Sequence, residues 1–129
     1  MKRILIAEDN AINRELMREI LTDRDYEIIE ACDGQQALDR IAEIAPDLVL
    51  LDIQMPVLDG YEVVRRIRDN PQSSKLRVIA LTAYAMRGDR ERALAAGFDD
   101  YVTKPIDLPT LTSKIGQFLE AETAGAEKS

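Results

Sequence analysis

The chain contains no histidine and no tryptophan, a single cysteine, and no apolar run approaching the ~20 residues of a membrane span. Without histidine, Ser-His and Cys-His catalysis and His-ligated metal centres are excluded. The lone Cys32 rules out an internal disulfide and a Cys-based zinc site, and reads as a small packing residue rather than a reactive thiol. The basic start "MKR" passes quickly into the acidic "AEDN", so no signal peptide is predicted and a cytoplasmic location is expected. Cations are outnumbered 17 to 24, and the net charge of −7 argues against nucleic-acid or anionic-membrane binding. Arg65, Arg66 and Arg68 read accordingly as a solvated helix face.

What is present is a regular alternation of apolar runs and helical patterns. Strands are predicted at 3–7, 26–31, 47–51, 77–82 and 100–104. Between them lie helices. The first is capped by Asn10, with the stripe Ile12, Leu16, Met17, Ile20 and Leu21. The second covers 34–45, with Leu38, Ile41 and Ala45 on one face; the third carries Val63, Val64 and Ile67 after a turn ending at Gly60. The fourth covers 90–97 with Gly97 as its C-terminal cap, and the last covers 107–122 with Asp107 as cap and Leu108, Leu111, Ile115 and Phe118 as stripe. The run "DLVLL" lacks polar alternation, as strands buried on both faces do. Five strand–helix units imply an α/β domain with a parallel sheet and helices on both faces. One domain over residues 1–121 and a flexible tail over 122–129 are expected.

In such sheets the chemistry gathers at the carboxyl ends of the strands. Those ends carry Glu8 and Asp9, Asp52, Thr82 and Lys104. Singly each has an ordinary reading, as a solvated acid, a strand hydroxyl or a loop lysine. Jointly they describe one site. Three carboxylates close together repel, and a hard divalent cation such as Mg²⁺ resolves the repulsion because it favours oxygen ligands. Asp52 then becomes a nucleophile able to form an aspartyl-phosphate, with Lys104 pairing one phosphoryl oxygen and the Thr82 hydroxyl another.

The segments "AEDN" (7–10), "LLDIQMPVLDG" (50–60), "LTAYA" (81–85) and "TKP" (103–105) resemble the motifs of the response-regulator receiver domain of two-component signalling. The likeness covers about residues 2–120 and is nearest to single-domain regulators of the DivK type and to hybrid-kinase receivers. It implies a doubly wound, CheY-like five-stranded sheet in the order 2-1-3-4-5. It also implies that Asp52 accepts a phosphoryl group from a phosphohistidine on a sensor kinase or phosphotransfer protein. Asp9, Asp52 and the Gln54 carbonyl would hold Mg²⁺, or Mn²⁺ in its place, and Glu8 would act through water. Ala83 N–H would be a further phosphoryl donor, Lys104–Pro105 would be cis, and Thr82 and Tyr101 would form a switch pair. Tyr84, two residues past Thr82, would shield the phosphoryl group, and Met86-Arg87-Gly88 would lie in the family's moving loop.

The resemblance further implies output by protein contact through the fourth helix, fifth strand and fifth helix, from a monomer or weak dimer. Neither turnover of an external substrate nor contact with nucleic acid or membrane is implied. The alternatives are a receiver excised from a hybrid kinase, a pseudo-receiver, or an aspartyl-nucleophile phosphatase. The last wants a general acid two residues after the nucleophile, where Gln54 stands and cannot transfer a proton. A flavin-binding protein would need a phosphate-cradling loop after the first strand, where "AEDNAIN" is acidic.

Overall fold

A computed structural model describes residues 1–83 and 88–128, with side chains through residue 119. The elements run β1 (Arg3–Ala7), α1 (Ala11–Thr22), β2 (Glu27–Ala31), α2 (Gly34–Ile44), β3 (Leu48–Asp52), α3 (Gly60–Asp69), β4 (Arg77–Thr82), α4 (Asp89–Ala96), β5 (Asp100–Thr103) and α5 (Leu108–Lys128). All strand pairs are parallel and the sheet order is β2-β1-β3-β4-β5. This is the expected doubly wound architecture. Among the described residues no helix is long and apolar enough to cross a membrane.

Side-chain alternation divides the core into two layers. Leu5, Ala7, Val49, Leu51, Val78 and Ala80 face α2, α3 and α4. Ile4, Ile6, Leu48, Leu50, Ile79 and Leu81 face α1 and α5. Every residue of β3 is buried, as its unbroken apolar run predicts. Each fully buried Leu or Ile contributes about 1.5–3 kcal/mol. Three helices begin on a side-chain cap: Asn10, Asp33 and Asp59 accept hydrogen bonds from the N–H of Asn13, Gln36 and Glu62 at 3.0, 2.8 and 2.9 Å.

Several expectations need correction. On α1 only Met17 and Leu21 are buried, while Ile12 and Leu16 are 77% and 45% exposed. At 3.6 residues per turn, Ile12 and Leu16 lie about 140° around the helix from Met17 and Leu21. They therefore form a second apolar ridge rather than part of the buried one. Ala45 is not on the buried face of α2; it is an exposed C-cap in left-handed conformation. Cys32 is exposed, and its thiol donates to Gln36 Oε1 at 3.1 Å instead of packing in the core.

Arg65 and Arg66 pair with Glu62 on the solvent face as expected, but Arg68 turns inward. Its guanidinium donates to Gly97 O at 2.8 Å, Ser74 O at 3.1 Å, Leu76 O at 2.5 Å and Asp99 Oδ2 at 2.9 Å. It thereby ties α3 to the loop before β4 and to the end of α4. Gly97 caps α4 at φ 119°, a conformation that favours glycine. On α5, Leu111, Ile115 and the unforeseen Leu119 form the buried stripe, with Leu108 and Phe118 half-buried. The helix stays regular to Lys128, past the last stripe residue, as the Ala and Glu content of 120–128 favours.

Candidate functional site

Register brings the polar strand ends together. Ala7 pairs with Leu51, Asp52 with Leu81, and Thr82 with Thr103, so the residues that follow open onto one rim. Ladder-like bonds continue beyond the strands: Glu8 N–H donates to Ala31 O at 3.1 Å, Ile53 N–H to Leu81 O at 2.9 Å, and Lys104 N–H to Thr82 O at 2.7 Å. The Lys104–Pro105 peptide is cis, as the resemblance implies.

Within the rim, Lys104 Nζ lies 2.7 Å from Asp52 Oδ2, to which it donates. It also donates to Glu8 Oε1 at 2.9 Å and lies 2.8 Å from Glu8 Oε2, which accepts no hydrogen bond. Asp52 Oδ1 accepts from Gln54 N–H at 2.9 Å. Glu8 and Asp52 are buried, with 0% and 2% of their surfaces exposed, whereas Asp9 is exposed. One oxygen from each of Glu8, Asp9 and Asp52 lies within 4.8 Å of the others.

The electrostatics follow from burial and crowding. Desolvation, followed by the neighbouring Asp52, raises the Glu8 carboxyl above the usual range, and Lys104 only partly offsets this. Burial pulls the Lys104 ammonium down, but its bonds to Asp52 and Glu8 outweigh that and leave it above the ordinary lysine value. Three carboxylates against one ammonium leave the pocket short of positive charge. An all-oxygen donor set of three clustered carboxylates sharing a single ammonium fits a hard divalent cation.

Of the residues singled out in the sequence, Glu8, Asp9, Asp52 and Lys104 converge directly. Thr82 is buried at the end of β4, and the adjoining Ala83 is exposed. Gln54 contributes its N–H to Asp52, and its own surface is exposed. Tyr101 is half-buried and, with Thr82, Ile53, Tyr61 and Arg92, lines a cavity of about 350 Å³ beside the rim. Above that cavity the Arg92 guanidinium lies 5.0 Å from the Tyr61 ring centre. Tyr84, Met86 and Arg87 fall outside the described residues.

The loop from β3 to α3 brings the chain back against the acceptor. A Cβ on Gly60 would stand 2.6 Å from Ile53 Cα and 2.8 Å from Asp52 O, so only glycine permits this approach. In the same loop Val57 adopts φ 70° and is 73% exposed. Left-handed backbone is costly for a β-branched residue, by about 1–2 kcal/mol. Val57→Gly is therefore expected to raise stability by about 0.5–1 kcal/mol after the greater entropy of the unfolded glycine chain is counted. Urea unfolding with an unchanged m value would measure it, and a lower midpoint would refute the strain.

One contributor was not singled out in the sequence, and one pair was singled out for the wrong face. Arg14, on α1, donates to the carbonyls of Glu8 and Asp9. Ile12 and Leu16 form an exposed apolar ridge on the same helix. Helical spacing alone carried the signal for the ridge.

Comparison with known proteins gives the family and the fold. Residues 4–116 match the family described as the response regulator receiver domain. The polar-differentiation response regulator DivK of Brucella anthropi is 40% identical over 118 residues, 92% of this chain and 96% of that protein. The receiver domain of the sensor histidine kinase PA1611 of Pseudomonas aeruginosa, solved with magnesium in the active-site cleft, aligns with TM-score 0.83 and 36% identity. The alignment covers 91% of this chain and 96% of that one. A Saccharomyces cerevisiae co-crystal structure of the phosphotransfer protein Ypd1 and the receiver domain of Ssk1 matches at TM-score 0.84 and 32% identity, over 91% and 88% of the two chains.

Proposed function

Because this chain belongs to the response regulator receiver domain family, we propose that Asp52 is its phosphoryl acceptor in two-component signalling. The observation that carries the reading is the Asp52 carboxylate at the buried centre of the rim, 2.7 Å from the Lys104 ammonium and beside two further acids. In the step proposed, an Asp52 carboxylate oxygen attacks phosphorus, the P–N bond of a partner's phosphohistidine breaks, and a P–O bond forms. The imidazole leaves and takes up a proton. Residues 1–129 contain no histidine, which fits an acceptor whose phosphohistidine donor lies outside them.

Asp9, Asp52 and the Gln54 carbonyl would hold Mg²⁺, with Mn²⁺ as substitute, and Glu8 would act through water. When bound, such an ion supplies charge neutralisation for the phosphoryl oxygens. Lys104 exchanges part of its contact with Asp52 for a phosphoryl oxygen. The Thr82 hydroxyl at the end of β4 and the N–H of the adjoining Ala83 would bind the other oxygens. The cavity beside Tyr101 supports a switch in which the ring packs inward as Thr82 turns to the phosphoryl group.

The phosphodonor we propose is a sensor histidine kinase or histidine phosphotransfer protein, docking on the exposed ridge Ile12–Leu16 beside the acidic loop. The downstream protein would read α4, β5 and α5, and the unit would span residues 1–121 as a cytoplasmic monomer or weak dimer. External substrate is not turned over.

Incubation of the chain with Mg²⁺ and acetyl phosphate is expected to add about one phosphoryl group per chain, stable in acid and labile in base. Chelation by EDTA before mixing abolishes it. Continuous hydrolysis of phosphomonoesters, or no mass change with Mg²⁺ present, would overturn the reading.

A further inference from the structure

Glu8 and Asp9 sit in the short segment 8–10 between β1 and α1. Its two ends are held by backbone bonds, Glu8 N–H to Ala31 O at 3.1 Å and Arg14 N–H to Asn10 O at 3.0 Å. The carbonyls of Glu8 and Asp9 remain, and one side chain takes both. Arg14 Nη1 donates to Glu8 O at 2.8 Å and to Asp9 O at 3.3 Å. The guanidinium is itself held from β2, where Glu30 Oε1 lies 3.4 Å from Arg14 Nε and Glu30 Oε2 lies 3.1 Å from Arg18 Nη1. Only 21% of the Arg14 side chain is exposed. Arg14 thus grips the main chain of the two acids from behind.

We propose that Arg14 is a positioning residue for divalent-cation binding, fixing the backbone from which Glu8 and Asp9 present their carboxylates. The inference rests on the metal reading above. Mg²⁺ demands near-ideal octahedral geometry, so a donor loop free to tilt binds it less well. Partners that orient metal ligands through hydrogen bonds are typically worth 10–100-fold in affinity. The role has a sign that charge alone does not. A guanidinium near the pocket repels an incoming cation, so if Arg14 acted only through its charge, removing it would tighten binding. If it positions the loop, removal weakens binding.

The test is calorimetric titration of the full chain with Mg²⁺ alone at fixed ionic strength. Wild type is compared with Arg14→Met, Arg14→Lys and Glu30→Gln, each checked by thermal melting without Mg²⁺. Arg14→Met is expected to raise the Kd about tenfold or more. Arg14→Lys keeps the charge but loses the planar fork, and falls between the two. Glu30→Gln, which loosens only the tether, has the smallest effect. Should Arg14→Met fail to fold, a Kd for Arg14→Lys above that of wild type carries the inference, and one equal to wild type overturns it. Equal or tighter binding by folded Arg14→Met overturns it and leaves the metal reading intact. No binding by wild type overturns both.

Discussion

Asp52→Asn is expected to take phosphoryl uptake from about one group per chain to none while leaving the protein folded. The amide keeps the shape of the carboxylate and can still bond Gln54 N–H, so the buried end of β3 is not left with a void. It loses the nucleophilic oxygen, and no other acid in the rim replaces it, because Glu8 is wholly buried against Lys104 and Asp9 lies out at the edge. The same substitution has a second signature. One of three clustered carboxylates disappears, so the metal-free protein melts at a higher temperature than wild type near neutral pH.

The pH dependence has a definite sign. Glu8 has a folded-state pKa above its unfolded value, so the folded chain holds more protons through that window and stability falls as pH rises across it. Lys104, also raised, contributes stability that is present at lower pH and lost as pH rises through its own folded value. Asp52→Asn removes a cause of the Glu8 shift and should flatten the first of these slopes. Mass spectrometry after acetyl phosphate treatment and melting curves across pH check both halves. Wild-type uptake by the variant would sink the assignment of Asp52.

Arg68→Ala is expected to cost about 3 kcal/mol of stability, the largest loss foreseen for any single exposed-looking residue. The guanidinium satisfies three carbonyls, on Ser74, Leu76 and Gly97, and pairs with Asp99. Asp99 Oδ2 in turn accepts Val78 N–H at 2.8 Å, so truncation leaves a part-buried carboxylate with less compensation at the start of β4. For a chain of this size such a loss lowers the melting temperature by roughly 10 °C. Arg68→Lys should recover less than half, since one ammonium cannot reproduce a planar fork serving four acceptors. Well below the melting temperature, phosphoryl uptake at Asp52 should be unchanged, because Arg68 is engaged at the opposite end of β4. A melting shift under 2 °C, set against the roughly 10 °C expected, would refute the hub.

The contrast between Arg68 and its neighbours marks where sequence reading succeeds and where it stops. Short continuous apolar runs such as Leu48–Leu51, alternating with helical patterns, suit strands covered on both sides, so the sheet was legible. Once strand ends were placed, the topological rule for such sheets placed Glu8, Asp9, Asp52 and Lys104 together. Arg68, by contrast, lies only about 40° around α3 from the buried Val64, and a charged residue at such a boundary faces either way. What decides is whether acceptors from distant segments await it, and these are carbonyls up to 29 positions away and the Asp99 carboxylate 31 positions away. Ile12 and Leu16 failed for a related reason: being apolar says nothing of which side of α1 faces the sheet. Val57 shows a third limit, since residue type alone gives no hint of backbone strain there.

The two bonds from Lys104 reach back 52 and 96 positions along the chain, to Asp52 and Glu8. A nascent polypeptide still emerging from the ribosome, or a fragment clipped by a protease before β5, has every acid but not the amine that completes the pocket. Such partial products lack both bonds to the two buried carboxylates, which form only once the chain past β5 is in place.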